Sequence, residues 1–578
     1  MDPAIDPVEY FRRPGQTLHR LYEALRAYYV ENLTAEEVGK QFDYSTVSVR
    51  VMASRFVHGK LGPFFREIPR GCQTAPVAGT LKDIILELRK QNLSILDISD
   101  HLTAGGRKAS YHTVWRVLRA AGEKRLPRRT EAQRSSAPKI HPPIADIRIL
   151  NLSIGREVQC QAPLLLLFAP LLTSLRFDEL VVNAGYPGSF MIPAPAYIRS
   201  LLALKLMPKI RKNHVMSIAE DEGFGLFAGL NVLPKTTALS DYSSRMGPEP
   251  HRSLLGGFVH ARDIMDAYQS LSFNIDFHTI RHFGDPECSR LENDYCTRRS
   301  QSVPAVTASF AQEWKSREMV YSHTNVLKRE KSEEVLRFVE YWKKTTGKTP
   351  QELVFDARLT THDGLAKLAG MGIRFLTLRE RHPEEVARIM ALPPKKWTRI
   401  EIDIPNREYR TPLVHDERIE LSDYPGKIRQ ICAMNLGHDE PTFILTNDVR
   451  HGPKVLLTRY FRRTRIENSL AEQVRFFHID SLSSSVRIKV DMDVVLSVLG
   501  SGCYRWLASK LRGFENSTAR MLWDTFLDRH GTIRLTQDHV IVRVRRFSRA
   551  PVLLESEVSK NDAGIPWLGG RKLKLEIK

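Results

Sequence analysis

Apolar residues recur at helical spacing through the first 120 positions, and from about residue 268 the pattern changes to alternating strands and helices. TLHRLYEALRAYYVENL, from Thr17, reads as an amphipathic helix. TAEEVGKQF follows it, with Thr34 as N-cap and Glu37 closing a capping box. A further helix begins at Ser45, so residues 34–56 have a helix-turn-helix outline with Ser45, Thr46, Ser48 and Arg50 at the start of the second helix. The pattern then recurs. Residues 81–91 and SILDISDHL predict two helices, and SYHTVWRVLRAAG predicts a third, capped by Ser110 and ended by Gly122. In this second unit Tyr111, His112 and Arg116 take the corresponding exposed places. An ordinary helical hairpin is the alternative for each unit, and recurrence favours a tandem reader of a bipartite DNA site.

Periodicity is lost over residues 123–146, where Pro, Ser and Arg accumulate, and residues 131–146 read as a basic linker. Arg128 and Arg129, trailing Lys124 and Arg125, are candidate phosphate contacts. Residues 147–265 are mainly helical by pattern and carry no evident chemistry. Their most apolar stretch, APLLLLFAPLLTSL, is interrupted by Pro170 and falls short of the roughly 20 residues that a membrane span needs. It reads as a buried helix, and a membrane partner is not expected.

The next segment carries the candidate chemistry. SLSFNIDFHTI, AVTASFAQ and MVYSHTNV read as strands and SEEVLRFVEYWKKTTG as an amphipathic helix; then follow the short strand LVFD, the helix THDGLAKLAGMG and the strand IRFLTLR. Three strands, helix, strand, helix, strand is the order of a ribonuclease-H-like sheet. Carboxylates within its first strand and at the end of its fourth would lie on neighbouring strands, and here those places hold Asp276 and Asp356. Asp285 is the nearest substitute for Asp276. A carboxylate in so apolar a strand needs a partner or a metal. TRYFRRTRIENSLAEQVRFF reads as a single helix beginning near Thr458, with Tyr460, Arg463 and Glu467 at i, i+3 and i+7 on one face. Glu472 falls elsewhere on the wheel. A solvated helix with an ordinary Arg463–Glu467 pair is the alternative.

Tyr460, Arg463 and Glu467, preceded by an aspartate in a strand and another at a strand end, resemble the DDE transposases of bacterial insertion sequences, whose signature is Y-R-E-K. The resemblance covers about residues 260–485. At the lysine position of that signature stands Val474, with Arg475 beside it as the candidate phosphate contact. The resemblance implies that Asp276, Asp356 and Glu467 bind two Mg²⁺ or Mn²⁺ ions and cut and join DNA, in a synaptic assembly of at least two protomers. It also implies a β-rich insertion between Asp356 and Glu467. WTRIEIDIP, EYRTPLV, KIRQICAMNL and PTFILTND read as its strands, and Trp397 is a candidate to stack on a displaced base or else a core side chain.

Composition adds to this picture in two ways. The chain has 578 residues, with 86 Lys+Arg against 66 Asp+Glu, a net charge of +20 and a pI near 9.6, which favours a polyanionic partner such as double-stranded DNA. Its six cysteines, Cys72, Cys160, Cys288, Cys296, Cys432 and Cys503, include no short CxxC pair, against a disulfide framework or a ribbon-type zinc site. His278, His282, Cys288 and Cys296 form an irregular group of possible zinc ligands, though structural zinc sites show tighter pairs. The N-terminus lacks the basic and apolar regions of a signal peptide, so a cytoplasmic, nucleoid-associated protein is expected. The expected architecture is multidomain α + α/β: helix-turn-helix units at 1–65 and 75–130, the linker, the helical region 147–265, a ribonuclease-H-like catalytic domain at 266–500 with its insertion at about 395–448, and a helical and strand region at 501–578. A cut-and-paste transposase is the leading reading. A two-metal nuclease without strand transfer and a non-cutting, transposase-derived DNA-binding regulator are the alternatives.

Overall fold

The computed structural model describes residues 7–61, 64–65, 80–91, 93–107, 109–123, 126, 150–189, 191–209, 212–242, 245, 247–281, 291–296, 301–324, 326–404, 408–480 and 487–578. The fold is mixed α/β, and the chain divides into two compact units, Met1–Ile140 and His141–Lys578.

In the first unit, helices Thr17–Tyr29, Ala35–Phe42 and Thr46–Val57 bury one apolar stripe each around Ala24, Ala27, Val38, Phe42 and Val49. Thr34 and Glu37 satisfy the free amides at the second helix's start. The Glu37 amide donates to Thr34 Oγ1 (3.3 Å), and the Thr34 amide donates to Glu37 Oε2 (2.7 Å). Asp43 ends that helix in the left-handed region, φ 55°. The turn then folds back so closely that a Cβ on Gly39 would lie 2.5 Å from the Tyr44 carbonyl oxygen. A second trio, Thr80–Lys90, Ile95–Ala104 and Tyr111–Ala120, closes on Ile85, Ile98, Leu102, Val114 and Leu118. It is capped by a reciprocal Ser94–Asp97 pair and by Ser110.

The second unit holds two sheets. Strand β1 (Glu157–Cys160) belongs to a five-stranded sheet completed from the far end of the chain. The larger sheet comprises β2 (Ser272–Arg281), β3 (Glu292–Cys296), β4 (Gln301–Glu313), β5 (Met319–Thr324), β6 (Glu352–Phe355), β7 (Arg374–Leu378), β8 (Thr398–Arg399), β9 (Leu413–Glu420), β10 (Lys427–Met434) and β11 (Thr442–Thr446). Strands β12 (Gly531–Leu535), β13 (His539–Val544), β14 (Gly564–Ile565) and β15 (Arg571–Ile577) complete the smaller sheet in the order β1-β12-β13-β15-β14.

Within the larger sheet β4 runs antiparallel between β5 and β2, β6 is parallel to β2, and β7 is parallel to β6. The helices Glu334–Thr346 and His362–Gly370 make the two crossovers that parallel pairing requires. The first buries Val335, Phe338, Val339 and Trp342, with the Trp342 ring 4.5 Å from that of Phe273 on β2. These elements lie where the hydrophobic pattern puts them. The segment after β7 departs from it. Its strands form no separate body: β11 pairs antiparallel with β7, and β10, β9 and β8 extend the same sheet. WTRIEIDIP contributes only the two residues of β8, and β9 begins at Leu413, because Pro412 has no amide to donate to a ladder. Isolated amides bridge the gap, Ile400 to the Pro412 carbonyl and Ile402 to that of Arg410.

One hydrophobic cluster runs from Val158 to Leu573, joining the helical region, the larger sheet and the C-terminal sheet. The APLLLLFAPLLTSL run is not one helix. A 3₁₀ stretch, Pro163–Phe168, leads into an α-helix, Ala169–Ser174, with Pro170 in its first turn, where a missing amide does no harm. Both pieces are buried. The helix Arg487–Lys510 packs on the helices Ala194–Leu206 and Glu249–Ile264 and on β5. No helix among the described residues is long and apolar enough to cross a membrane.

Gly39→Ala is expected to destabilise the first helical trio by about 1–3 kcal/mol, because its Cβ meets backbone rather than a movable side chain. Hydrogen exchange over residues 35–57 reads this: protection falls there and is unchanged in the second trio.

Candidate active site

The site starts from strand register. β2 and β6 run in parallel with Ser272, Phe273 and Asn274 opposite Glu352, Leu353 and Val354. The pairing ends at Asn274 and Val354; Asp276 and Asp356 each lie two residues beyond it, on β2 and just past the end of β6, and both charges act on the Tyr460 hydroxyl. Asp276 lies inside its strand, and its Oδ1 accepts from the Phe277 amide (2.9 Å). Asp356 ends the neighbouring strand and caps the short turn Ala357–Leu359, accepting from the Ala357 amide (2.6 Å).

The third carboxylate comes from a helix that is broken. In place of one helix from Thr458 there are two, Pro453–Phe461 and Thr464–Arg475. Across the junction the amides of Arg463, Arg465 and Ile466 reach back three residues instead of four, a 3₁₀ tightening. The tightening separates the three residues that a single helix would align. Tyr460 is 5% exposed and packs in a core with Val354, Leu376 and Leu457, whereas Glu467 keeps half of its side chain in solvent.

Two arginines fasten these helices to β2. Arg459 donates to Glu352 Oε1 (2.6 Å), Asn274 Oδ1 (2.9 Å) and Ser272 Oγ (2.9 Å). One turn on, Arg463 donates through Nη1 to Asp276 Oδ2 (2.7 Å) and through Nη2 to Glu467 Oε1 (3.0 Å), bridging two of the three candidate carboxylates. Burial pushes the Asp276 carboxyl above its ordinary range, with Arg463 and the Phe277 amide pulling it back and Glu467 adding to the rise. Burial works against the Arg463 charge too, but Asp276, Tyr460 and Glu467 outweigh it and hold the guanidinium protonated. The role of Arg459 was open to sequence reasoning: 459, 463 and 467 recur every four residues, the spacing of one helical face.

Other candidates are distributed as follows. His278 faces Asp480, Nε2 to Oδ1 2.7 Å. His282, Asp285 and Cys288 lie outside the described residues, as does the side chain of Cys296. Among the described residues no three His, Cys, Asp or Glu side chains are gathered closely enough to hold a metal ion as they stand. In the first unit Ser45 caps its helix and bonds Ser48 (2.8 Å between hydroxyl oxygens). Ser45 and Arg50 are exposed, and Thr46 and Ser48 are half-buried. Tyr111, His112 and Arg116 are exposed, and so is Trp115, which the sequence reading passed over. Arg128 and Arg129 lie outside the described residues. Trp397 is half-buried against Ile389, Cys432 and Phe443, and Arg475 is exposed at a helix end. Glu472 turns away from the other carboxylates, toward Arg505 (3.8 Å) and the Ala519 amide.

No protein-family model and no curated protein matches the chain. Among solved structures, weak neighbours include a piggyBac transposase synaptic complex with hairpin DNA, at 10% identity and a TM-score of 0.31, covering 60% of this chain and 78% of that one. Another is the catalytic domain of human endonuclease V, at 13% identity and a TM-score of 0.17, covering 35% of this chain and 85% of that one. Likeness at these scores carries no argument, and the functional reading stands on the geometry above.

Because Asp276 titrates above its unfolded value, its ionisation weakens the fold. The penalty is absent below the ordinary aspartate value of about 3.9 and fully present above the raised one. Asp276→Asn is therefore expected to raise the thermal midpoint at pH 7 in metal-free buffer, and the gain should vanish by about pH 3.5. A gain that persisted in acid would contradict the burial argument.

Proposed function

We propose that the chain is a DNA transposase of the DDE type, with a ribonuclease-H-like catalytic core in which Asp276, Asp356 and Glu467 act together on a phosphodiester. The observation that carries the reading is the Arg463 bridge between Asp276 and Glu467, with Asp356 just past the end of the strand that pairs in parallel with β2. The strand order β5-β4-β2-β6-β7, with β4 alone antiparallel to the rest, supports the fold assignment.

Three carboxylates make a hard, all-oxygen donor set of the kind that suits Mg²⁺ or Mn²⁺. Arg463 now holds the positive charge between Asp276 and Glu467, and the carboxylates would have to draw together and Arg463 swing aside for an ion to take that place. Two bound ions would supply activation of the attacking oxygen and charge stabilisation at the leaving 3′ oxygen. The protein's own part is to position. Arg459 fixes the helix to β2, and the backbone amides of Phe277 and Ala357 orient the two aspartates. Arg463, released from Glu467, is placed to neutralise a phosphate oxygen. Tyr460, whose hydroxyl burial holds firmly protonated, supports the Arg463 plane from below at 5.9 Å.

The tandem helical trios of the first unit, with Ser45, Thr46, Ser48, Arg50, Tyr111, His112, Arg116 and the basic Arg128 and Arg129, would read the ends of the element as helix-turn-helix units. Trp397, Arg463 and Arg475 would meet DNA near the cut, and the buried Tyr460 would take part only through its packing beside Arg463. Two ends must be joined, so at least two protomers would act together.

Asp276→Asn, Asp356→Asn and Glu467→Gln are each expected to lower Mg²⁺-dependent cleavage of DNA carrying the gene's flanking sequences by about a thousandfold, the equivalent of about 4 kcal/mol. Binding of the same DNA should change less than about twofold. Cleavage by wild type without joining of the new 3′ end to a second DNA would leave a nuclease instead.

A further inference from the structure

A second group of arginines lies beside the carboxylates, and its charges are not balanced. Trp314, at the end of β4, donates its amide to the Ser272 carbonyl at the start of β2. Its ring is covered by two guanidiniums, Arg459 at 3.9 Å and Arg465 at 4.1 Å from the centroid. Arg459 is neutralised by Glu352, whereas among the described residues no carboxylate pairs with Arg465 or with Arg317, which lies close to it. The nearby acid Glu472 is taken by Arg505. Arg462 pairs, among the described residues, with the exposed Asp403. Both unpaired arginines are partly buried, and burial together with the neighbouring Arg317, Arg462 and Arg459 lowers Arg465 to about 10. Arg317 is lowered in the same sense by burial and Arg505. Its backbone is also held at φ 60°, a left-handed conformation that a long side chain rarely adopts. Like charges crowded without counter-ions weaken a fold, and a strained backbone holding one of them adds to the penalty; an anion bound there would offset both.

We infer that Trp314, Arg317 and Arg465 form a phosphate-binding subsite for the DNA backbone running into the carboxylate site. Arg465 is two residues from Glu467 in one helix and Trp314 is bonded to the start of the strand that carries Asp276, so the subsite adjoins the carboxylate site. Arg465 lies flat on an indole and presents its edge to a phosphate, while Arg317 supplies the second charge. The inference rests on the reading of the substrate as DNA but not on cleavage, and binding alone tests it.

The test is fluorescence anisotropy of full-length protein with a labelled random-sequence 30-base-pair duplex from 50 to 200 mM KCl, without divalent metal. Arg465→Gln and Arg317→Gly are each expected to weaken binding and to reduce the slope of log affinity against log salt by about 1; Lys367→Gln, an exposed lysine paired with Asp363 on the helix His362–Gly370, should keep the wild-type slope. Arg317→Gly also relieves the positive φ, so it should fold at least as stably as wild type, and it keeps the test open if Arg465→Gln unfolds. Wild-type slopes in both arginine variants would overturn the subsite. Failure of wild type to cut any DNA would overturn the transposase reading instead and leave this result standing.

Discussion

The site depends on one charged contact, the fork of Arg463 between Asp276 and Glu467. A carboxylate inside an apolar strand is costly to ionise without a partner, and here the partner arrives from a helix 187 positions along the chain. Arg459 does the same one turn earlier, with three donors spent on Glu352, Asn274 and Ser272. Together they hold the helix pair against the face of β2 that carries the acids. Arg459, the Gln312–Ser469 hydrogen bond and the burial of Ile466 and Leu470 hold the same helix pair, and the Arg463 fork turns Glu467 toward Asp276.

The same contact explains how acidic side chains can be held together in the folded chain. Arg463 supplies positive charge between two carboxylates, and Glu467, half exposed, is the member able to turn away. Asp356 is already oriented by a backbone amide. Burial keeps Asp276 reluctant to ionise even so, which leaves a residual instability that a doubly charged ion would relieve. The fold thus carries a charge at this strand position at a cost in stability, a pattern common where charge is gathered for chemistry.

Much of this was legible in the sequence. Short apolar runs locate β2 and β4 to β7, whose central strands are buried on both faces, and helical periodicity locates the two crossover helices, with boundary residues such as Gly347 and Gly372. The capping boxes at Thr34 and Ser94 mark helix starts for the same local reason. The break at Arg462 and Arg463 was not legible, because no Pro or Gly marks it and the chain there keeps a helical pattern across the junction. Nor was the joining of β8 to β11 onto the main sheet, a matter of which strand edge is free, which no local pattern encodes. Trp314 and Arg465 are far apart in sequence and acquire meaning only once β4 ends beside the second helix.

The central claim is that Asp276, Asp356 and Glu467 share divalent metal. Its most direct measure is Mn²⁺ binding to the full-length protein followed by electron paramagnetic resonance, compared between wild type and the Asp276→Asn/Asp356→Asn double variant. The account predicts bound Mn²⁺ in wild type and its loss in the double variant. Equal binding in both would contradict it.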